Sequence, residues 1–228
     1  MLCAPHLRAV LLACGLLPFS PAFADSWNIP APDLPARAFV LIEAQSGTEL
    51  AALNADARLP PASLTKLMTA YLLFGDLRAG TLKLDERVSV SRYAARLPGA
   101  RMFLREGDSV PVEDLFKGML VQSGNDATFA LVERSSDTLP VFVARMNAMA
   151  AELGLANTHF ANATGLNNPQ HYSSARDLTR LAVAVQRDFP EYAGWFALPE
   201  YRWSGIAQPN RNPLLRDPGV DGLKTGHT

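Results

Sequence analysis

Pro60-Pro61-Ala62-Ser63-Leu64-Thr65-Lys66 places a hydroxyl and an amine three residues apart, at the head of the apolar series Leu64, Leu67, Met68, Tyr71 and Leu72. The three-four spacing of that series predicts a buried helix. The prolines end any preceding element, so Ser63 falls at the helix N-terminus. Residues i and i+3 share a helix face, which lets the Ser63 hydroxyl meet the Lys66 amine. Serine is a weak nucleophile near neutral pH and needs an adjacent base. Lysine serves if burial or a neighbouring cation lowers its pKa towards neutrality. The helix N-terminus also favours negative charge developing at Ser63. S-x-x-K nevertheless arises by chance roughly once in a chain of this length. Alone, it more often marks an N-cap followed by a solvated lysine.

Outward from this stretch, Ala38 to Glu43 reads as a strand, almost continuously apolar and so expected to be buried on both faces. Gln45-Ser46-Gly47 turns the chain and Thr48 to Leu53 returns, giving a hairpin. The Ser63 helix is expected to reach about Ala79, with Gly80 as C-cap. Val88–Ser91 and Met102–Val110 read as short strands or loops. Pro111 opens a helix with Glu113 and Asp114 in its first turn, and Ser123-Gly124-Asn125 stops it. Helical patterns follow over Asp126–Arg134 and Leu139–Gly154, and from Ser174, a capping-box-like start, to about Phe189. Tyr201 to Ile206 reads as a kinked strand, and Val220 to Thr228 has strand character. Strands at both ends with helices between them predict an α+β fold, an antiparallel sheet formed by the chain termini with a helical insert.

The 228 residues carry 21 basic and 22 acidic side chains, enough chain for one substantial core and no electrostatic footprint for nucleic acid. At the N-terminus Arg8 precedes the apolar run Ala9 to Leu17, then Pro18, and Ala22-Phe23-Ala24 follows as an A-x-A site. Residues 1–24 are therefore expected to be a secretory signal peptide, and residues 25–228 the working domain. The apolar run is too short to span a bilayer. Lipoprotein processing at Cys14 is the rival reading of this segment. Cys3 and Cys14 are the two cysteines, so the expected mature chain has no disulfide framework and no thiol nucleophile.

Two further motifs change the weight of the first. Ser123-Gly124-Asn125 sits between helices and Lys224-Thr225-Gly226 on the last strand-like segment. Each tripeptide has roughly a one-in-twenty chance of appearing in such a chain, and S-x-x-K, S-x-N and K-T-G in this order form the signature set of the penicillin-interacting serine enzymes. The surrounding residues Ala62 to Ala70, Val121 to Ala127 and Asp221 to Thr228 resemble the low-molecular-mass penicillin-binding proteins. These are serine-type D-alanyl-D-alanine carboxypeptidases of the peptidase S11 type. Asn157 to Phe160, Ala163 to Leu166 and Gln208 to Asn212 are similar to that family too, so the likeness runs from about Pro35 to the end.

The resemblance implies a β-lactamase/transpeptidase-like fold and a set of roles. Ser63 would be the acylated nucleophile, Lys66 its base, and Ser123 the relay of a proton to the departing D-alanine amine. Asn125 would hold the substrate peptide and Lys66, Lys224 would help to keep Lys66 neutral, and Thr225 would bind the terminal carboxylate. Gly226 would let the strand edge approach the peptide, and the backbone N–H groups of Ser63 and His227 would form the oxyanion hole. The implied partners are peptidoglycan pentapeptides as substrate and β-lactams as inhibitors, acting in wall maturation and cell shape. No metal or cofactor is implied, and His6, His159, His171 and His227 show no ligand spacing. An exported, periplasmic enzyme lying peripherally on the inner membrane is expected.

Family chains continue past K-T-G-H-T with further strands, one of which contributes an arginine for the substrate carboxylate. A β-rich domain and a C-terminal membrane helix usually follow. The sequence is accordingly read as a fragment lacking those C-terminal strands and the anchoring helix. A D,D-endopeptidase acting on cross-links needs the same residues. A β-lactamase would require a deacylating glutamate, typically in E-x-x-L-N, and Glu152-Leu153-Gly154-Leu155-Ala156-Asn157 does not fit it. A catalytically silent wall-binding protein could lose the motif residues, all of which are present here.

Overall fold

A computed structural model describes residues 33–136 and 138–227, so the expected signal peptide, its cleavage site and both cysteines lie outside the described residues. The first hairpin forms as anticipated. Strand β1 (Phe39–Ile42) pairs antiparallel with β2 (Glu49–Leu53), with Leu41 opposite Ala51. The Glu43 carboxylate accepts from the Gln45 and Ser46 amides at the turn. Burial of β1 on both faces does not hold: Leu41 is exposed and its neighbours are half-buried. The hairpin is a two-stranded sheet, so only the face towards the helices gains cover.

A 3-10 turn over Ala62–Thr65 runs directly into helix α1 (Lys66–Arg78). This helix is apolar around almost its whole circumference, the pattern of a central helix rather than a surface one. It packs against α3 (Val112–Leu120), α4 (Asn125–Ser135), α5 (Leu139–Glu152) and α6 (Ala175–Asp188). Leu67, Met68, Leu73 and Phe74 are buried, and Phe74 stacks on Phe116 at 5.2 Å and on Tyr192 at 4.5 Å. The caps explain where the helices start. Ser174 Oγ accepts from the Asp177 amide to open α6, and Thr138 Oγ1 does the same for Val141 in α5. A short helix α2 (Arg92–Ala95), opened by Ser91, was not legible in the sequence.

Two small hairpins complete the architecture. Strand β3 (Arg87–Ser89) pairs with β4 (Ser109–Pro111). The segment read as one kinked strand is in fact two: β5 (Glu200–Trp203) and β6 (Ile206–Pro209) pair antiparallel around Ser204-Gly205. Both turn residues have positive φ, 48° and 79°, as a two-residue hairpin loop matched to strand twist requires. The α+β class stands, but the sheet expected from the chain termini is absent among the described residues. Residues 217–227 carry no strand and make no ladder to β1. Pro218 removes a donor, and Gly219 and Gly222 take positive φ, so this segment is held by side chains instead.

His171 ties the helical core to the Ser63 turn. Its Nδ1 accepts from the Ala161 amide at 2.9 Å, which leaves Nε2–H to donate to Thr65 Oγ1 at 2.6 Å, so the ring is neutral here. Burial, with the His159 charge adding to it, holds its pKa down at about 4 against an ordinary 6.5. A pKa lowered in the folded state contributes stability that is present above pH 6.5 and lost as pH falls towards 4. We expect urea-unfolding free energies to decline over that window by on the order of 2 kcal/mol. The decline should flatten in His171→Gln; an unchanged slope in the variant would clear His171 of the effect.

Candidate active site

The 3-10 geometry at Ser63 sharpens the sequence reading. Side chains three residues apart eclipse one another in such a turn, which stacks Ser63 directly on Lys66. Lys66 Nζ lies 3.1 Å from Ser63 Oγ, and the lysine is fully buried. Two other groups meet the same nitrogen: Asn125 Oδ1 at 2.7 Å and the Thr164 carbonyl at 2.7 Å. Both are obligate acceptors. A neutral amine has two N–H donors and one lone pair, so those two carbonyls take both hydrogens and the lone pair is left facing the Ser63 hydroxyl. Burial is the largest influence holding the Lys66 pKa well below the ordinary lysine range. The Lys224 and Arg211 charges act in the same direction and the Asp126 carboxylate opposes them.

The middle motif is positioned by strain and by a buried carboxylate. Ser123 adopts a left-handed conformation (φ 66°), unfavourable for a residue with a side chain, and Asn125 opens α4. The Asn125 amide donates to Ala100 O and its Nδ2 to Pro98 O, which fixes the carboxamide oxygen towards Lys66. Asp126 accepts from the Met102 and Leu104 amides and locks the adjoining loop. Gly124 is required by this packing: a Cβ there would stand 2.9 Å from both Asp126 Oδ1 and the Met102 nitrogen.

The third motif comes from residues 217–227. Lys224 Nζ donates to Ser123 Oγ at 3.0 Å and to the Thr225 carbonyl at 2.8 Å. Burial of its ammonium group, with the Arg211 charge adding to it, pushes the Lys224 pKa down to about 7. Thr225, Gly226 and His227 line one cleft of about 510 Å³ together with Ser63, Ser123 and Asn125. Gly226 also faces the Ser63 turn, where a Cβ would meet Pro61 O at 3.2 Å. All eight residues singled out by the motifs therefore converge. The motifs did not single out the loop that closes the site from below. Asn162 Oδ1 accepts from the Thr164, Gly165 and Leu166 amides, and Thr69 Oγ1 donates to Ala163 O. The Thr164 carbonyl is thereby aimed at Lys66. Its signal was the Ala163-Thr164-Gly165-Leu166 similarity, which carried no role for a backbone oxygen. Among the described residues no cluster of histidine, cysteine or carboxylate side chains is grouped to hold a metal. None of the described helices is long and apolar enough to cross a membrane.

A hydroxyl against the lone pair of a buried amine, with a second hydroxyl and a second lysine across the cleft, defines a serine acyl-transfer site with a lysine base. Comparison with known proteins agrees with that class. The family model described as D-alanyl-D-alanine carboxypeptidase, peptidase S11, matches residues 26–228. The chain is 43% identical over 229 residues to the D-alanyl-D-alanine carboxypeptidase DacC of Escherichia coli K12, covering 95% of this chain and 57% of that protein. It is 40% identical over 222 residues to DacA of the same organism, covering 92% and 55%. Penicillin binding protein 5 from Haemophilus influenzae superposes with a TM-score of 0.85 at 40% identity, over 88% of this chain and 60% of that one. Penicillin binding protein 6B from Escherichia coli gives 0.83 at 39%, over 89% and 66%. The chain belongs to the D-alanyl-D-alanine carboxypeptidase family, peptidase S11, and has the fold of these penicillin-binding proteins. It spans little more than half the length of the two curated relatives described.

Proposed function

We propose that the protein carrying this chain is a serine-type D-alanyl-D-alanine carboxypeptidase that removes the terminal D-alanine from peptidoglycan stem peptides and is acylated by β-lactams. The single observation that carries this reading is the Ser63–Lys66 pair, in which two carbonyl acceptors occupy the amine hydrogens and leave its lone pair for the hydroxyl. Ser63 Oγ attacks the carbonyl carbon of the penultimate D-alanine as its proton passes to Lys66 Nζ. The backbone N–H groups of Ser63 and His227 receive the oxyanion; loss of one such donor raises a barrier by about 3 kcal/mol in other systems. The carbon–nitrogen bond then breaks and Ser123 protonates the leaving amine, regaining a proton from Lys66, which is thereby neutral again for the second step. The Ser123 oxygen already accepts from Lys224, so its own hydrogen is available to the cleft. Water attacks the acyl ester, gives one proton back through Lys66, and frees Ser63.

The test is to incubate the full-length protein with a penicillin and, separately, with an acyl-D-Ala-D-Ala peptide. Peptide mapping of the adduct and an amino-acid assay for D-alanine read the two steps. An adduct on Ser63 together with D-alanine release is expected. An adduct without release would replace carboxypeptidase with cross-link endopeptidase or a wall sensor, and no adduct would defeat the acyl-enzyme itself, as a silent wall-binding protein would. Export to the periplasm and peripheral attachment to the inner membrane belong to the same proposal. Support for export comes from Arg8, the apolar run and Ala22-Phe23-Ala24; attachment rests on the resemblance alone.

A further inference from the structure

Both nitrogens of one buried imidazole are engaged with the two segments that surround the catalytic lysine. His171 Nε2–H donates to the hydroxyl of Thr65, which immediately precedes Lys66 in the nucleophile turn. Its Nδ1 accepts from the Ala161 amide, three residues before the Thr164 carbonyl that takes a hydrogen from Lys66. Among the described residues, His171 is the partner of both the Thr65 hydroxyl and the Ala161 amide. The ring does not line the catalytic cleft, and no step of the reaction above uses it.

The backbone around His171 is pinned to the same two segments. Leu59 and Ser173 exchange amide hydrogen bonds of 2.8 and 2.9 Å, just ahead of Pro60-Pro61-Ala62-Ser63. His159 and Tyr172 do the same at 2.9 and 3.0 Å, where the stretch leading to Thr164 begins. The His171 amide donates to Asn168 O, and its ring lies 5.8 Å from the Phe160 ring, tilted towards edge-on. His171 is 4% exposed, so water does not replace either ring hydrogen bond. One helical turn beyond Thr65, Thr69 Oγ1 donates to Ala163 O and ties α1 to the same loop. The ring and Thr69 together set how far the loop stands from the turn.

We propose that His171 is a positioning residue for acyl transfer: through Thr65 and the Ala161 amide, its ring holds the Ser63–Lys66 turn and the Thr164 carbonyl at their working separation. The inference rests on the lysine-base reading of the site and deepens it. The ring touches neither substrate nor reacting atoms and exchanges no proton in the cycle. Its effect reaches the chemistry through the Lys66 amine. When the Thr164 carbonyl withdraws, one amine hydrogen loses its acceptor, and the lone pair is no longer held on the Ser63 hydroxyl. Asn125, Thr225 and Gly226 lie on other segments, so binding before acylation is left as it was.

The experiment uses the full-length protein with His171→Leu, His171→Gln, Thr65→Val and the Thr65→Val/His171→Leu double variant. Phe142→Leu, buried in α5, is the control for lost core stability. Penicillin acylation is followed by stopped flow over a range of penicillin concentrations, well below each melting temperature. That separates the binding constant before acylation from the acylation rate constant. Leucine fills the ring's volume but leaves the Thr65 hydroxyl and the Ala161 amide without a partner. Glutamine offers one acceptor and one donor in their place. Misplacement by about 1 Å costs about 10²-fold, so His171→Leu should lower the acylation rate constant by about 10- to 100-fold and the binding constant by less than about 2-fold. Thr65→Val should lower the rate constant by about 3- to 10-fold, and His171→Gln should stay within about 3-fold of the unsubstituted protein. The double variant should match His171→Leu alone, because Thr65 acts through the ring. Phe142→Leu should melt earlier and acylate at the unsubstituted rate. An equal rate loss in Phe142→Leu would overturn the proposal by assigning the effect to core stability. Weaker binding at an unchanged rate constant would overturn it too, as would a double variant whose loss is the product of the single losses. If His171→Leu does not fold, Thr65→Val decides, and a rate constant within about 2-fold of the unsubstituted protein overturns the proposal. Formation of the Ser63 adduct by the unsubstituted protein keeps each of these separate from a failure of the acyl-enzyme reading.

Discussion

Lys66→Met should lower the rate of penicillin acylation at Ser63 by roughly 10²- to 10⁴-fold, the usual worth of a positioned general base, while the protein stays folded. Methionine fills the volume of the lysine stem, and it removes an amine that burial already disfavours in its charged form. Asn125 Oδ1 and the Thr164 carbonyl lose their donor, at about 1–3 kcal/mol for each group left unsatisfied. A melting curve measured beside the acylation rate separates that loss from the chemical one. The pH dependence carries the same argument with a definite sign. Only the neutral amine accepts the Ser63 proton, and burial with the Lys224 charge holds the Lys66 pKa well below 10.5. Acylation by the unsubstituted protein should therefore rise with pH and level off well below the ordinary lysine range. A rate still climbing at pH 10 would mean that Lys66 is charged at neutrality and is not the base.

Gly165→Ala should be the most damaging single-methyl change in the site. Gly165 has φ 87°, and a Cβ there would fall 1.8 Å from Ala62 O and 2.9 Å from the Ser63 nitrogen. Nothing flexible can yield, because both contacts are main chain of the nucleophile turn. Left-handed strain of about 1–2 kcal/mol and overpacking of about 1–3 kcal/mol combine, so we expect a stability loss of roughly 2–5 kcal/mol. The movement that relieves the clash pulls the Thr164 carbonyl away from Lys66 and shifts the Ser63 turn, so acylation of the folded fraction should drop by about 10²-fold or more. Gly226→Ala is the comparison for stability alone: its nearest contact would be the Pro61 carbonyl at 3.2 Å, which asks for a shift of a few tenths of an ångström, so its stability loss should be smaller. Equal stability losses from both substitutions would contradict the close approach at Gly165.

Gly165 shows the kind of information that a resemblance leaves unassigned. It lies in a stretch whose likeness to the family was plain in the sequence, yet it had no role there. It acts by having no side chain against a neighbouring backbone. Asp126 and Gly124 are a second case. The Asp126 carboxylate reaches back across Gly124 to the Met102 amide, which leaves no room at position 124 for the aspartate of S-D-N.

What the sequence determined by itself was local or identity-based. The first hairpin, the reach of α1, the Ser174-capped start of α6 and the three ordered motifs follow from periodicity, capping chemistry and residue type. These act over a few residues and need no tertiary context. What only the tertiary structure decided was long-range. Asn125 and Thr164 reach Lys66 from 59 and 98 residues away, and Lys224 reaches Ser123 from 101. The Ser63–Lys66 pair becomes a nucleophile and its base through a carboxamide, a backbone carbonyl and burial. The direction of a main-chain oxygen and the loss of water around an amine are properties of packing, and residue identity does not encode either.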